Sequence, residues 1–167
     1  MSTTTQGKAH APMKSTRQWW VLGGFAIAVI VAAGVGVWGV QGVSGEYADL
    51  QQPDWAPPSW LFSPVWTVLY AMIALAGWLA WRHVGFAHRA LWLYGAQLVL
   101  NAIWTPLFFG AGRYGLAFLD IVVLWVLIAA TMFSFWSISR PAAWLLAPYA
   151  GWVAFAGALN FAIWTMN

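Results

Sequence analysis

The chain has 167 residues, of which 62% are hydrophobic and only 7% carry a formal charge. Because soluble domains carry about a quarter charged residues, this composition excludes an ordinary soluble domain and indicates a membrane protein. Cysteine is absent, which excludes disulfides and thiolate metal sites and leaves the redox compartment open.

The chain begins with a polar segment and continues with five charge-poor stretches. Residues 1–18 lack periodicity and are rich in Ser, Thr, Gln and Lys, which predicts a disordered cytoplasmic tail. The stretches are each long enough for a membrane-spanning helix of about 20 residues, and they run over 19–43, 59–81, 89–109, 114–139 and 141–166. Since lipid cannot hydrogen-bond an open sheet, we predict an all-α integral membrane protein, a five-transmembrane-helix bundle over 19–167.

The first stretch has two interpretations, a cleaved signal peptide or a retained helix. Its length over 19–43 far exceeds the roughly 7–15-residue apolar core of a signal peptide. It is also not followed by a recognisable cleavage site and a soluble domain. We therefore predict a retained first helix.

Basic residues predict the orientation of the bundle. If five helices alternate, one side carries Lys8, Lys14, Arg17, Arg82, Arg89 and Arg140, and the other carries Arg113 with the acidic Glu46, Asp49 and Asp54. The positive-inside rule then places the N-terminus in the cytoplasm, with the C-terminus and the first loop outside. An odd number of helices also argues against the inverted repeats of many transporters.

The loop over 44–58 is predicted to be a stiff aromatic lid. It contains Tyr47 and Trp55, together with Pro53, Pro57 and Pro58. Proline fixes φ and biases the preceding residue towards extended backbone, which stiffens a loop. Ser59 follows as the predicted N-cap of the second helix.

Small residues recur at four-residue intervals on two helices. They are Gly24, Ala28, Ala32 and Gly36 on the first helix, and Ala150, Ala154, Ala158 and Ala162 on the fifth. Such stripes let helices approach closely in lipid. They indicate either packing within the bundle or the face of a homodimer.

The chain has 15 tryptophans. The positions near helix ends are typical of interface anchors, and they are Trp19, Trp20, Trp81, Trp92, Trp144 and Trp164. Four others lie deeper in the spans, where an indole facing a cavity makes a stacking surface, and they are Trp66, Trp104, Trp125 and Trp152.

Polar and aromatic residues form stripes on three predicted helices. Helix by helix, the stripes are Trp66 and Tyr70, then Gln97, Asn101 and Thr105, then Trp152, Ala156 and Asn160. Burying polar groups in a bilayer is costly, so these residues predict a cavity that suits a large planar apolar ligand with polar edges. The alternative is hydrogen bonding between helices without a ligand.

The remaining ionisable residues and motifs do not indicate a catalytic site. Asp120 is the acidic residue within a span, and it is either a proton or cation site or a side chain that reaches Arg113 or neighbouring backbone. His83 and His88 lie in the second loop without further ligands, which favours solvated histidines over a haem or metal pair. Hydrolase, zinc and phosphate-loop patterns are missing from the sequence. We expect no metal, no required cofactor and no nucleic-acid partner.

Three motifs resemble those of the translocator protein/tryptophan-rich sensory protein (TspO/MBR) family. The first is Tyr-Ala-Asp-Leu-Gln-Gln-Pro-Asp-Trp-Ala-Pro-Pro from Tyr47, followed by Trp66. The second is Asn-Ala-Ile-Trp-Thr-Pro-Leu-Phe-Phe-Gly from Asn101, and the third is Ala-Trp-Leu-Leu-Ala-Pro-Tyr from Ala143, followed by Trp152. The resemblance covers about residues 20–167 in the right order and spacing.

The resemblance implies a commonly dimeric five-helix receptor or sensor that binds porphyrins such as protoporphyrin IX, and also sterols and benzodiazepine-type compounds. It further implies a role in tetrapyrrole and stress regulation. By motif position, Tyr47, Trp66, Asn101 and Trp152 match ligand-pocket residues, and Ala156 matches a position that influences affinity. With the loop and the stripes, the candidate ligand-binding set also includes Trp55, Tyr70, Gln97 and Asn160.

Some relatives promote light-dependent porphyrin degradation, in which Trp66 and Trp152 would be the reacting indoles. The alternatives are a transporter of porphyrins or other amphipathic, sterol-like molecules, and a regulatory partner protein. Two positions depart from the family pattern. Gln52 replaces a lysine before the loop proline, which weakens attraction for porphyrin propionates, and Phe161 replaces the tyrosine of the sterol motif.

Overall fold

The computed structural model describes residues 15–38 and 50–167, and all regular structure in these residues is helical. The helices are α1 Ser15–Trp38, α2 Phe62–Val84, α3 Arg89–Thr105, α4 Tyr114–Trp136, α5 Arg140–Leu145 and α6 Ala147–Met166. A 3₁₀ turn, Ser59–Leu61, precedes α2, and a π-helical turn, Pro106–Gly110, continues α3. Most of the predicted tail and the first part of the predicted lid, including Tyr47, lie outside the described residues.

Four stretches of the described residues are long and apolar enough to cross a membrane. They are Thr16–Gly36, Ser59–Val84, Tyr114–Trp136 and Arg140–Met166. The remaining long helix, α3, has 17 residues before the π-helical turn extends it. The described chain is therefore an all-helical assembly of five main helices, counting α5 and α6 as one span.

Three helices begin or end at residues other than the predicted ones. The first helix begins at Ser15, so residues 15–18 of the predicted tail are helical. The second continues to Val84, where Gly85 adopts φ 70° and its N–H bonds to Trp81 O at 2.8 Å. Glycine has no Cβ and adopts this positive φ without strain, so the helix can end there. The fourth ends at Trp136, before the predicted residue 139.

Prolines divide or distort two predicted helices. At Pro106 the third helix loses a backbone donor, and Ala111 N–H bonds back to Pro106 O at 2.9 Å in a widened turn. The predicted single helix over 141–166 breaks at Leu146, two residues before Pro148. The predicted N-cap at Ser59 is wrong: Ser59 starts the 3₁₀ turn, and no side chain caps that turn or α2.

The helices pack in a way that gives α2, α3 and α6 a shared interior. The most extensive neighbours are α3 with α4, α4 with α6, and α1 with α2 and α3, while α5 packs on α2 and α4. At one end, Leu50 and Ala56 of the segment 50–58 lie on an apolar cluster that includes Phe108 and Leu159. We call this segment the lid, and it covers the end where α2 and α4 begin.

The structure corrects two predictions, the packing role of the small-residue stripes and the interface position of one tryptophan. Gly36 packs so closely on α3 that an added Cβ would lie 3.2 Å from Thr105 Oγ1, as expected for packing within the bundle. Packing within the bundle accounts for only part of each stripe, because four of the eight small residues are exposed, namely Gly24, Ala28, Ala154 and Ala158. A homodimer face stays a prediction. Trp81 is not an interface anchor, because it is 3% exposed within the core.

Gly77 of α2 is where α1, α2 and α3 come closest. A Cβ there would lie 2.6 Å from Tyr94 Cζ and 2.8 Å from two ring atoms of Phe25. Tyr94 cannot easily retreat, because its hydroxyl donates to Ile73 O at 3.1 Å.

We expect Gly77→Ala to lower the free energy of unfolding by about 1–3 kcal/mol, because overpacking displaces buried rings. Reversible unfolding in mixed detergent micelles measures the change. Gly95→Ala on α3 is the matched control, because an added Cβ there meets no atom within 4 Å. Equal effects of the two substitutions would contradict this packing.

Candidate functional site

A chain of hydrogen bonds joins three helices near the middle of their spans. Tyr70 of α2 donates to Asn101 Oδ1 at 3.0 Å, and Asn101 Nδ2 donates to the Tyr149 hydroxyl at 3.1 Å. Tyr149 of α6 in turn donates to Gln97 Oε1 at 2.9 Å. We call these four residues the polar chain. Tyr149 is its hub, because it is fully buried and bonds to both amides of α3.

Trp66 extends the polar chain with an aromatic surface. Its ring stacks on Tyr70 with centroids 5.2 Å apart and an interplanar angle of 28°. Its other neighbour is Tyr149, which it meets edge-on at 6.2 Å. Trp66 thus lies where the polar chain meets the apolar interior, and a planar ligand would meet both there.

Trp152 links this interior to the lid. Its ring lies 5.8 Å from that of Phe62, the first residue of α2, and 5.4 Å from that of Phe155. Phe155 in turn contacts Trp55 of the lid edge-on at 5.8 Å. A continuous line of aromatic rings therefore runs from the lid surface into the bundle.

Ala156 and Asn160 lie beside a very small hollow. Asn160 accepts a hydrogen bond from Trp104 Nε1 at 3.1 Å and donates to Tyr114 O at 2.9 Å. Both residues are buried and line a space of about 10 Å³ with Phe62 and Trp104. Such a space holds about one water molecule at most. The predicted cavity is therefore filled by its own side chains in this conformation.

Two buried donors in this region have no acceptor among the described residues. They are the indole Nε1 of Trp152 and the amide Nε2 of Gln97, which ends the polar chain. A buried donor without a partner costs about 1–3 kcal/mol. These two atoms are therefore the ones that would gain most from an acceptor on a bound molecule.

An amide side chain at the end of the chain, Asn167, hydrogen-bonds the backbone of the lid. Asn167 Oδ1 accepts from the backbone N–H of Gln51 at 3.0 Å, and Asn167 Nδ2 donates to Gln51 O at 3.0 Å. The same nitrogen donates to Ile163 O at 2.9 Å, at the end of α6. Because both residues are exposed, water competes for these bonds, and the fastening is weak.

The structure brings most of the predicted site residues together. Trp66, Tyr70, Gln97, Asn101, Trp152, Ala156 and Asn160 surround the interior, and Trp55 contributes through Phe155. Thr105 lies instead against Gly36 of α1. Trp125 lies on the outside of the bundle, where it is 43% exposed and donates to Ala150 O.

Three residues of this region were missed by the sequence interpretation. Tyr149 lies one turn before Trp152 on the stripe of α6, so extending that stripe by three residues would have found it. Phe62 lies four residues before Trp66 on α2, at the same helical spacing. Phe155 has no distinguishing sequence signal, since it is one of 10 phenylalanines.

Asp120 and the loop histidines lie apart from the polar chain's hydrogen bonds. The Oδ2 atom of Asp120 is buried, and no described residue donates a hydrogen bond to it. The interpretation in which Asp120 reaches Arg113 or neighbouring backbone is therefore wrong for that oxygen. His88 caps α3, where its Nδ1 accepts from Ala90 N–H at 3.2 Å. Among residues 15–38 and 50–167, no group of His, Asp and Glu could hold a metal ion.

A larger hollow lies elsewhere, on the outer surface between α4 and α6. It encloses about 250 Å³ and is lined by apolar side chains such as Phe118, Val153 and Gly157. It is open and has no polar side chain to orient a ligand, apart from the indole of Trp125. Its position and lining are those of a lipid-facing groove, so the smaller interior region remains the candidate site.

Comparison with known proteins decides the family. The sequence pattern of the TspO/MBR family matches residues 25–165 of the chain. The chain belongs to the TspO/MBR family. The Translocator protein of Ovis aries is 43% identical over 140 residues, which cover 79% of this chain and 83% of that protein. The Tryptophan-rich sensory protein of Cereibacter sphaeroides is 39% identical over 121 residues, which cover 72% of this chain and 76% of that protein.

Membership of the TspO/MBR family agrees with the membrane spans. The Tryptophan-rich protein TspO of Chlorobaculum tepidum is 43% identical over 125 residues, covering 72% of this chain and 78% of that protein. The matched region includes the whole of α2 to α5, with all of the interior residues described above. Together with four apolar helices able to cross a membrane, this makes the chain an integral, multi-pass membrane protein.

We expect Tyr149→Phe to destabilise the bundle more than the loss of an ordinary hydrogen bond. The change removes the donor to Gln97 and the acceptor of Asn101, and hydrogen bonds between membrane helices are worth about 0.6 kcal/mol each. The expected loss is about 1–2 kcal/mol, measured by reversible unfolding in mixed micelles.

Tyr94→Phe is the matched control, because it removes the single hydrogen bond from Tyr94 to Ile73 O. Its expected cost is about 0.6 kcal/mol. If Tyr149→Phe costs no more than Tyr94→Phe, the hub role of Tyr149 is wrong.

Proposed function

We propose that this protein is a membrane receptor that binds a planar, largely apolar ligand of the porphyrin class between α2, α3 and α6, beneath the lid. The observation that carries the proposal is the pair of buried, unpaired donors on Trp152 and Gln97. They lie in an interior otherwise made of stacked aromatic rings. This combination suits a flat molecule with hydrogen-bond acceptors at its edges.

The polar chain supports a binding role beyond its role in packing. Helix association alone would favour a chain whose donors are all satisfied, since lipid offers no other partner. Here the polar chain ends on Gln97 Nε2, and the buried indole of Trp152 also lacks an acceptor. Carbonyl, carboxylate or pyrrole nitrogen acceptors of a ligand would satisfy these donors, while Trp66 and Trp152 would stack on its faces.

Ligand entry on this proposal requires the lid to move. Pockets for drug-sized ligands enclose roughly 300–1,000 Å³, whereas the interior hollow encloses about 10 Å³. The helices are held by buried contacts, whereas the contacts of the lid include the exposed Asn167 clamp, the apolar residues Leu50 and Ala56, and the ring of Trp55. Opening the lid is therefore the least costly way to enlarge the site.

Motif resemblance and family membership support the proposal in different ways. Related proteins carry the names Translocator protein and Tryptophan-rich sensory protein, which name no ligand. The ligand class follows instead from the resemblance of the three motifs, which implies porphyrins. We propose that α3 and its π-helical turn together form the fifth membrane span. The N-terminus then lies in the cytoplasm, as the basic residues predict. Gln52 and Asp54 in the lid offer no positive charge to the propionates of a porphyrin. Binding should thus depend mainly on stacking and on the interior donors.

Trp152→Phe should weaken binding of protoporphyrin IX by about tenfold, because it removes the unpaired donor and part of the stacking surface. Trp66→Phe should weaken binding to a smaller extent, through stacking alone. Titration of the purified protein, followed by the shift of the porphyrin Soret band, measures both changes. Illumination of the same samples tests whether either indole contributes to porphyrin degradation.

Trp92→Phe is the control for this experiment, because Trp92 lies on the outside of α3 and is 73% exposed. It should bind protoporphyrin IX as the unaltered protein does. Unchanged affinity in both Trp66→Phe and Trp152→Phe would show that porphyrin does not bind in this interior.

Asn167→Ala should accelerate both association and dissociation of protoporphyrin IX by severalfold, because it removes the clamp on the lid without altering the interior. Stopped-flow absorbance measures both rates. Thr165→Ala is the matched control, since the Thr165 hydroxyl bonds only within α6, to Ala162 O at 2.9 Å. Equal rates in all three proteins would contradict entry beneath the lid.

A further inference from the structure

The end of the bundle opposite the lid carries exposed cations without carboxylates. Arg17, Arg82, Arg89 and Arg140 are all exposed there, at the start of α1, the end of α2 and the starts of α3 and α5. The four acidic residues of the chain are Glu46, Asp49, Asp54 and Asp120, and none falls in these segments. The positive charge of this end is therefore not neutralised by the chain's own acids.

Arg82 is held against an indole that is itself fixed. Its guanidinium carbon lies 4.9 Å from the ring centre of Trp78, one turn earlier on α2. Trp78 donates from Nε1 to Gln18 O of α1 at 3.0 Å and stacks on Trp19 at 6.2 Å. Two contacts with α1 thus hold the ring on which Arg82 rests.

Arg140 repeats this arrangement at the junction of α4 and α5. Its guanidinium carbon lies 5.6 Å from the ring centre of Trp136, again four residues earlier in the chain. Trp136 contacts a second indole, Trp144 of α5, at 5.7 Å. In both places a tryptophan pair supports an arginine.

The two arginines belong to neighbouring helices. The last turns of α2 pack on α5, with Ala80, Ala142 and Ala143 all buried in the same core cluster. Arg82 and Arg140 therefore stand at the same end of two helices in contact, and each is oriented by its indole.

Stacking leaves the hydrogen-bonding edge of each guanidinium free. A cation–π contact occupies the flat face, while the N–H groups point outwards in the plane of the group. Neither Arg82 nor Arg140 donates a hydrogen bond to another residue of the part of the chain that the structure describes. Such a planar edge matches the oxygen pair of a phosphate, to which arginine binds in a bidentate manner.

The surrounding residues indicate that the phosphate belongs to a membrane lipid. Exposed indoles lie at the same end, with Trp20 78%, Trp92 73% and Trp144 63% exposed. Such tryptophans lie at the level of the lipid headgroups in membrane proteins. The free guanidinium edges are then at the depth of the lipid phosphates, and net positive charge favours anionic lipid.

We propose that Arg82 and Arg140, each positioned by its stacked indole, form a binding site for the headgroup of an anionic phospholipid beside α2 and α5. The partner is a lipid of the surrounding leaflet whose headgroup carries a net negative charge. This site is separate from the interior beneath the lid and does not depend on the proposed function.

Native mass spectrometry of the full chain, released from nanodiscs of mixed phosphatidylglycerol and phosphatidylcholine, tests this site. The unaltered protein should retain phosphatidylglycerol preferentially. Arg82→Gln and Arg140→Gln should each reduce that preference about fivefold, equivalent to about 1 kcal/mol for each basic residue at a membrane surface. Reversible unfolding of each variant in mixed detergent micelles confirms that it is folded.

Arg113→Gln is the matched control, because Arg113 is exposed at the opposite end, before α4. It should retain phosphatidylglycerol as the unaltered protein does, and an equal loss there would overturn the proposal. Arg82→Lys with Arg140→Lys keeps the charge but removes the planar edge, and it should lose most of the preference. If the lysine variant keeps the full preference for phosphatidylglycerol, charge alone attracts the lipid, and the proposal of a planar arginine site is wrong.

Two competition experiments test whether the site binds lipid, free phosphate or an acidic peptide. Inorganic phosphate, added at millimolar concentration, should not displace phosphatidylglycerol, because the lipid is also held by its chains. Displacement would show a site for free phosphate instead. If the arginines bind an acidic peptide in place of lipid, polyglutamate should displace phosphatidylglycerol, and that result would contradict the proposal.

Discussion

The constraint on which this structure depends is that a polar group inside the bilayer must find its partner within the protein. The polar chain meets that constraint by joining α2, α3 and α6 through Tyr70, Asn101, Tyr149 and Gln97. Because the hydroxyl of Tyr149 bonds to both amides of α3, the three helices can meet there in only a narrow range of positions. The aromatic interior is built around this junction. The polar chain ends there on the unpaired Nε2 of Gln97, and the indole Nε1 of Trp152 is a second unpaired donor.

The two ends of the bundle serve different purposes on this account. At one end, the lid lies over the interior and is fastened by weak, exposed contacts, so it can open without disturbing helix packing. At the other end, paired indoles fix arginines at the depth of the lipid headgroups. A rigid, lipid-anchored end and a movable lid would let the site open while the helices keep their positions in the membrane.

The sequence predicted the helices well, because long apolar stretches bounded by charged loops have few alternatives in a membrane. It also predicted that the stripes of α2, α3 and α6 face one another, since helical spacing determines which residues share a face. The burial of Trp81 could not be predicted, because proximity to a helix end does not reveal which way a ring points. The Asn167 clamp joins residues 116 positions apart, and no local pattern indicates such a contact. The filled interior likewise depends on side-chain packing that spacing alone does not determine.

The proposed function depends on a ligand that supplies an acceptor to the unpaired Nε1–H group of Trp152. Two-dimensional ¹H–¹⁵N NMR of the indole N–H groups, recorded during titration with protoporphyrin IX, tests it most directly. We expect a large shift of the Trp152 Nε1–H resonance as it gains an acceptor, while the resonance of the exposed Trp92 stays unchanged. A Trp152 resonance that does not move at saturating porphyrin would contradict the claim.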